Sequence, residues 1–318
     1  MQAGETEMIT GSEQLGWMRE SSPQLPVREL QRRLDTDGYL LLRALIDPST
    51  VERAATRARI ASKVDPADGL GLTGDEFFAS AEGSSVIEAA ELRAFFARLW
   101  GRSACCTGPQ VLRPVPPGVS TGFHMDNVYM ARGSDRLHTV WIPFVRVPVL
   151  LGGLVVLEAS NRLPGFAQMR DTYGSHDVDK TTVRRSGHIS NSAAELLAYE
   201  PGARWVTAAE YCPGDVVVIG MRTLHGSLRN QMAAGIRLSC DVRYQPCDDA
   251  FDERWVRASD GGPARGHGRF DLDGSWYAGD GPEQPGGGIS SADKTVSLET
   301  AKREWWGLAP AKGRPQRL

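Results

Sequence analysis

From Ile236 to Tyr244 the side chains alternate without a break. Ile236, Leu238, Cys240, Val242 and Tyr244 fall on one side, and Arg237, Ser239, Asp241 and Arg243 on the other. A period of two is that of a β-strand, because successive side chains leave the backbone on opposite faces. On an exposed edge strand the same alternation would put the charges in solvent. Here the strand comes after a histidine, His225, carried at the far end of the apolar run Val216-Val217-Val218-Ile219. A polar face beside such a residue places Arg237 in the mouth of a barrel. Its planar fork of donors suits it to grip a carboxylate there.

The neighbouring sequence is built of similar pieces. Strand-like runs follow at 110–115, 122–130, 139–149, 154–157, 204–207 and 216–220. Turn chemistry separates them at Pro116-Pro117-Gly118, Gly152-Gly153 and Pro213-Gly214-Asp215. Several short strands broken by Gly and Pro turns predict a β-sandwich or barrel. Before residue 101 the periodicity is mostly helical. Leu30 and Leu34 mark one short helix, Val51, Ala54 and Ala58 a second behind the cap residues of Asp47-Pro48-Ser49-Thr50, and Leu92, Phe95, Phe96 and Leu99 a third. A buried strand, Tyr39-Leu40-Leu41-Leu42, follows the Asp37-Gly38 turn. The expected class is therefore mainly β with flanking α, the N-terminal helices lying on one face.

Residues 1–24 read as a flexible N-terminal arm and 25–318 as a single catalytic domain with its core over about 105–245. The polar insertion 166–203 shows no clear period and reads either as a lid, with Arg184 and Arg185 facing substrate, or as a disordered surface excursion. The tail 248–318 is expected to wrap the surface, with a closing helix over 301–308. A net charge of −3 leaves no footprint for nucleic acid or an anionic membrane. No apolar run is long enough to span a bilayer, and the first residues lack the order of a signal peptide. The five cysteines lack CxxC spacing and are expected to be reduced thiols in a cytoplasmic protein. The expected partner is a small-molecule substrate, and the sequence leaves monomer and homodimer equally open.

Metal chemistry enters with His124-Met125-Asp126. In extended backbone, residues two apart project to the same side, so imidazole and carboxylate share one space. Two imidazoles and one carboxylate on a face with open positions make an iron(II) site. Chance also produces His-X-Asp, and the tripeptide gains weight only beside the second stretch, Leu224-His225-Gly226-Ser227 and Arg237-Leu238-Ser239.

Taken with Asp37-Gly38-Tyr39, Thr139-Val140-Trp141-Ile142-Pro143, Gly152-Gly153-Leu154 and Pro213-Gly214-Asp215, these pieces resemble the phytanoyl-CoA dioxygenase family in order and spacing over roughly residues 30–245. The resemblance implies a double-stranded β-helix, a jelly-roll core, and a non-haem dioxygenase that uses iron(II), 2-oxoglutarate and O2. It implies His124, Asp126 and His225 as metal ligands and catalytic centre, with Arg237 and Ser227 on the far carboxylate of 2-oxoglutarate and Trp141 as a wall of its pocket. Ser239 and Gln110 are weaker cosubstrate contacts, and Tyr129, Arg132, Phe123 and Met130 are expected near substrate. Ala159-Ser160-Asn161 departs from the family's Gly-Ser-His, which alters a loop and not the ligands. Hydroxylation of a metabolite, with natural-product tailoring as one setting, is the expected activity. A jelly-roll metal-binding protein and a zinc hydrolase at the same triad remain alternatives, and neither needs Arg237 with Ser227.

Overall fold

The structure, a computed structural model, describes residues 1–3, 6–7, 14–62, 75–173 and 188–252. Its larger sheet has five strands in the order β4 (Tyr39–Leu42), β11 (Val216–Gly220), β6 (His138–Pro143), β13 (Arg237–Pro246) and β5 (Ala104–Val115), each neighbour antiparallel. The smaller sheet runs β12 (His225–Ser227), β8 (Leu154–Leu157), β9 (Trp205–Thr207) and β3 (Leu15–Trp17), with β3 parallel to β9. Short ribbons pair β1 (Gln2–Ala3) with β2 (Thr6–Glu7) and β7 (Val147–Pro148) with β10 (Glu210–Tyr211). This is the jelly-roll that the resemblance implies, and it agrees with the sandwich or barrel expected from the strand succession.

The period-two pattern decides which face of each strand is covered. On the outer face of the larger sheet, Leu40, Leu42, Val140, Ile142, Val216, Val218, Leu238 and Val242 pack with the helices in one core. Those helices are α1 (Val27–Asp37), α2 (Pro48–Ser62), α3 (Asp75–Phe78), α4 (Ala81–Ile87) and α5 (Ala90–Trp100). Helix α5 buries Leu92, Phe95, Phe96 and Leu99 as one stripe and stops at Gly101, whose φ of 66° favours a residue without Cβ. Between the sheets, Tyr39, Leu41, Trp141, Val217 and Ile219 meet Leu154, Val156 and Val206. Each such side chain contributes about 1.5–3 kcal/mol when fully buried. The other end of this interlayer is polar, because β13 turns Arg237, Ser239, Asp241 and Arg243 inward, all of them buried. That strand is flanked by β6 and β5, so the exposed-edge reading of the alternation is excluded.

Several expectations are corrected. The described residues 14–24 of the expected arm are part of the fold, since Leu15 is fully buried and β3 completes the smaller sheet. The long run 139–149 bends after Pro143 into β7 and a 3-10 turn, Val149–Leu151, that ends at Gly152. The insertion at 166–203 is not featureless: it holds α7 (Ala167–Tyr173) and α8 (Ala193–Leu197). Residues 174–187, including Arg184 and Arg185, lie outside the described residues, as do the tail from 253 onward and the expected helix at 301–308.

The cysteines are not all reduced, because Cys105 and Cys247 form a disulfide. Antiparallel pairing of β5 with β13 sets Gln245 opposite Cys105 and brings the two Cα atoms to 5.1 Å, although they are 142 residues apart in sequence. The expectation of a cytoplasmic protein loses its cysteine argument with that bond. No described helix is long and apolar enough to cross a membrane.

Candidate metal centre

His124 and His225 are set side by side by the backbone. His124 extends the smaller sheet as an isolated bridge to β12, and the two histidines exchange both backbone N–H···O bonds at 3.0 Å. The extended stretch then ends. Asp126 has φ −75° and ψ −15° and caps the single turn α6 (Asn127–Met130), so the strand expected over 122–130 stops at His124. The carboxylate comes from a turn and not from strand alternation, yet it reaches the same space.

There the three ligand atoms lie within 4.8 Å of one another, and all three residues are buried. His124 Nε2 is 3.6 Å from Asp126 Oδ1, and His225 Nε2 is 3.9 Å from Oδ2. Each imidazole places Nδ1 2.9 Å from a backbone carbonyl, that of Gly122 for His124 and of Thr223 for His225. With Nδ1–H donating there, each ring keeps the Nε2 lone pair for a metal. Burial, and then the neighbouring His124, pulls the His225 imidazole down to about 4, which keeps it in the neutral, ligating form at neutral pH. Burial opposes ionisation of Asp126, but Arg243 and the imidazoles hold its carboxyl well below the usual range. Its Oδ1 is buried without a hydrogen-bond partner. A buried carboxylate with one oxygen left bare beside two imidazole nitrogens fits a cation, and the donor set, two nitrogens and one oxygen, fits iron(II).

Behind this cluster a cavity is lined by Arg237, Ser227, Trp141, Thr121 and Arg113 along with the two histidines. Arg237 is 1% exposed, and its Nη1 donates to Ser239 Oγ at 3.0 Å, while Nε and Nη2 have no partner. Burial and the nearby Arg113 pull its guanidinium down to about 10, still charged at neutral pH. A buried cation with bare donors is costly unless an anion completes it. Ser227 Oγ accepts the Thr121 N–H at 2.7 Å, which leaves its own hydroxyl hydrogen to donate. The indole N–H of Trp141 is likewise buried without a partner.

Of the other expected site residues, Tyr129 stands edge-on to His124 with ring centroids 6.2 Å apart. Phe123 and Met130 are fully buried in one core cluster, Phe123 against Trp205 with ring centroids 4.5 Å apart. Arg132 is exposed, its backbone N–H bonded to Asp252. Gln110 sits where β5 bulges, its amide 3.7 Å from Cys106 Sγ, and is not among the residues lining the cavity.

Sequence reasoning missed three polar groups here, Arg113, Thr139 and His188, and the contact that a fourth, Arg243, makes. Arg113 on β5 donates to Asp241, Thr139 on β6 donates to Asp126 Oδ2, and Arg243 Nη2 lies 3.6 Å from that same oxygen. His188 brings its ring to 5.4 Å from His124, although nothing in its spacing marks it. The inward face of β13 could have pointed to Asp241 and Arg243. Arg113 was signalled only as a lone charge in the apolar run Val111-Leu112-Arg113-Pro114-Val115.

The chain belongs to the phytanoyl-CoA dioxygenase (PhyH) family, whose profile matches residues 34–238, a span that includes all three ligands and Arg237. Among solved structures it is similar to the epimerase SnoN in complex with Fe3+, alpha ketoglutarate and nogalamycin RO. That match has 20% identity and a TM-score of 0.54 over 80% of this chain and 96% of the other. It is also similar to the non-heme alpha ketoglutarate dependent carbocyclase SnoK from nogalamycin biosynthesis, at 17% identity and TM-score 0.52 over 77% and 92%. EctD from S. alaskensis matches at 18% identity and TM-score 0.51 over 74% and 82%. These likenesses show a shared jelly-roll. No curated protein sequence matches the chain.

Proposed function

We propose that this protein is an iron(II)- and 2-oxoglutarate-dependent dioxygenase that hydroxylates a small-molecule metabolite. One observation carries the reading: beside the His124, Asp126 and His225 cluster stands a buried guanidinium, Arg237, with two bare donor nitrogens. A zinc hydrolase or a plain metal binder has no use for it.

The roles follow from the atoms. His124 and His225 would hold iron(II) through Nε2 and Asp126 through Oδ1. Arg237 would hold the far carboxylate of 2-oxoglutarate, steadied by Ser239 and joined by the Ser227 hydroxyl and the Trp141 N–H. When bound, iron(II), 2-oxoglutarate and O2 together supply the oxidising chemistry, which releases succinate and carbon dioxide and leaves one oxygen atom for a substrate C–H bond. The surrounding apolar wall of Trp141, Leu154 and Ile219 keeps water from the cosubstrate. Within the barrel, Arg113, Arg237 and Arg243 face Asp126 and Asp241, a surplus of one positive charge. Iron(II) alone raises that surplus and dianionic 2-oxoglutarate restores it, so the two bind best together.

Natural-product tailoring is the setting we favour, because SnoN and SnoK both belong to nogalamycin biosynthesis. The test is succinate release under air with iron(II) and 2-oxoglutarate across a panel of secondary metabolites. The expected result is iron-dependent release stimulated by one substrate class, with a product heavier by one oxygen atom. Zinc-dependent hydrolysis with no succinate would overturn the reading.

A further inference from the structure

The two oxygens of Asp126 sit in different surroundings. Oδ2 accepts the Thr139 hydroxyl, lies 3.6 Å from Arg243 Nη2 and is 3.9 Å from His225 Nε2, whereas Oδ1 has no hydrogen-bond partner and lies 3.6 Å from His124 Nε2. Thr139 and Arg243 are directly opposite on the adjacent strands β6 and β13, so one rung of the larger sheet presents both groups to the same oxygen. The rung is itself held, because Arg243 Nη1 reaches the Asp241 carbonyl at 3.5 Å and the Asp241 carboxylate accepts from Arg113. A carboxylate with both oxygens free can take two places on a metal. With one oxygen hydrogen-bonded to a hydroxyl and facing a guanidinium, the other is the better donor.

We propose that Thr139 and Arg243 are positioning residues that restrict Asp126 to one donor oxygen, Oδ1, and so keep a coordination place open for the reactants. The inference rests on the iron(II) reading above and adds to it the device that fixes the ligand's binding mode. Thr139 also lines the cavity behind the cluster, and the effect of both residues on the metal runs through Asp126.

The first test is a crystal structure of the wild-type protein loaded anaerobically with Mn(II). One Asp126 oxygen should lie at bonding distance and the other against Thr139. Both oxygens on the ion, or Oδ2 on the ion with Oδ1 turned away, would overturn the proposal. The second test compares Thr139→Val, which keeps the branched shape on the strand, with Thr139→Ser, which keeps the hydroxyl. Mn(II) affinity should fall about tenfold or more in Thr139→Val. The visible absorption of its Co(II)-loaded form should change in intensity as the coordination number changes, and Thr139→Ser should restore both. Unchanged affinity and an unchanged Co(II) spectrum in Thr139→Val would sink the inference while leaving the iron reading intact. Wild-type protein that binds neither ion would sink both. The wild-type crystal structure decides the question even if Thr139→Val does not fold.

Discussion

Replacing Arg237 with methionine should separate binding from stability in opposite directions. Arg237 makes one hydrogen bond, to Ser239, and lies close enough to Arg113 to be disfavoured by it. In the ligand-free protein its charge is a cost, and a methionine that fills the same stem volume removes that cost. Thermal unfolding of ligand-free Arg237→Met, followed by circular dichroism, should therefore occur at the wild-type temperature or above. Binding should suffer. Removing one partner of a buried, hydrogen-bonded charge pair costs about 3–5 kcal/mol. At 1.4 kcal/mol per tenfold, the Kd for 2-oxoglutarate should rise roughly two to three and a half orders of magnitude. Anaerobic calorimetry with Mn(II)-loaded protein measures this directly. Unchanged affinity would refute the reasoning. A clear fall in ligand-free stability would show that the guanidinium serves the fold and not a ligand.

Other perturbations test the frame around the site. A Cβ at Gly226 would meet Phe123 Cδ1 at 2.7 Å and the Thr121 carbonyl at 3.0 Å, displacing the strand that carries His225 and Ser227. Gly226→Ala should cost about 1–3 kcal/mol by denaturant titration and should weaken Mn(II) binding; wild-type metal affinity would contradict the close approach. Phe123→Ala should cost about 3–5 kcal/mol of stability, and a change confined to substrate KM would show instead that the ring faces substrate. Cys247→Ala opens a loop of 142 residues, worth about 5 kcal/mol in the chain-entropy treatment. The difference from wild type should appear in oxidising buffer and vanish with reductant, and equal stability in both would mean that the bond does not form.

The sequence made the sheets legible because period two and Gly/Pro turns are local signals. The inward polar face of β13 and the buried run of β11 are read directly from alternation and its absence. The metal ligands were found from motif spacing, although the strand geometry first invoked for Asp126 is replaced by a turn. What stayed hidden depends on pairing between distant segments. Cys105 meets Cys247, and Thr139 meets Arg243, only through strand register. Phe123 and Met130 adjoin the ligands along the chain, and only the packing of distant segments shows that both are fully buried in a core cluster. His188 reaches His124 across a long insertion whose sequence has no period to follow.

Everything proposed depends on three side chains and one guanidinium enclosing an iron ion and a 2-oxo acid. The most direct measurement is visible absorption on anaerobic addition of iron(II) and 2-oxoglutarate. A weak charge-transfer band should grow to one equivalent of each, be absent in His225→Ala, and need far more 2-oxoglutarate in Arg237→Met. No band in wild-type protein, or an equal band in His225→Ala, would contradict the assignment of this site.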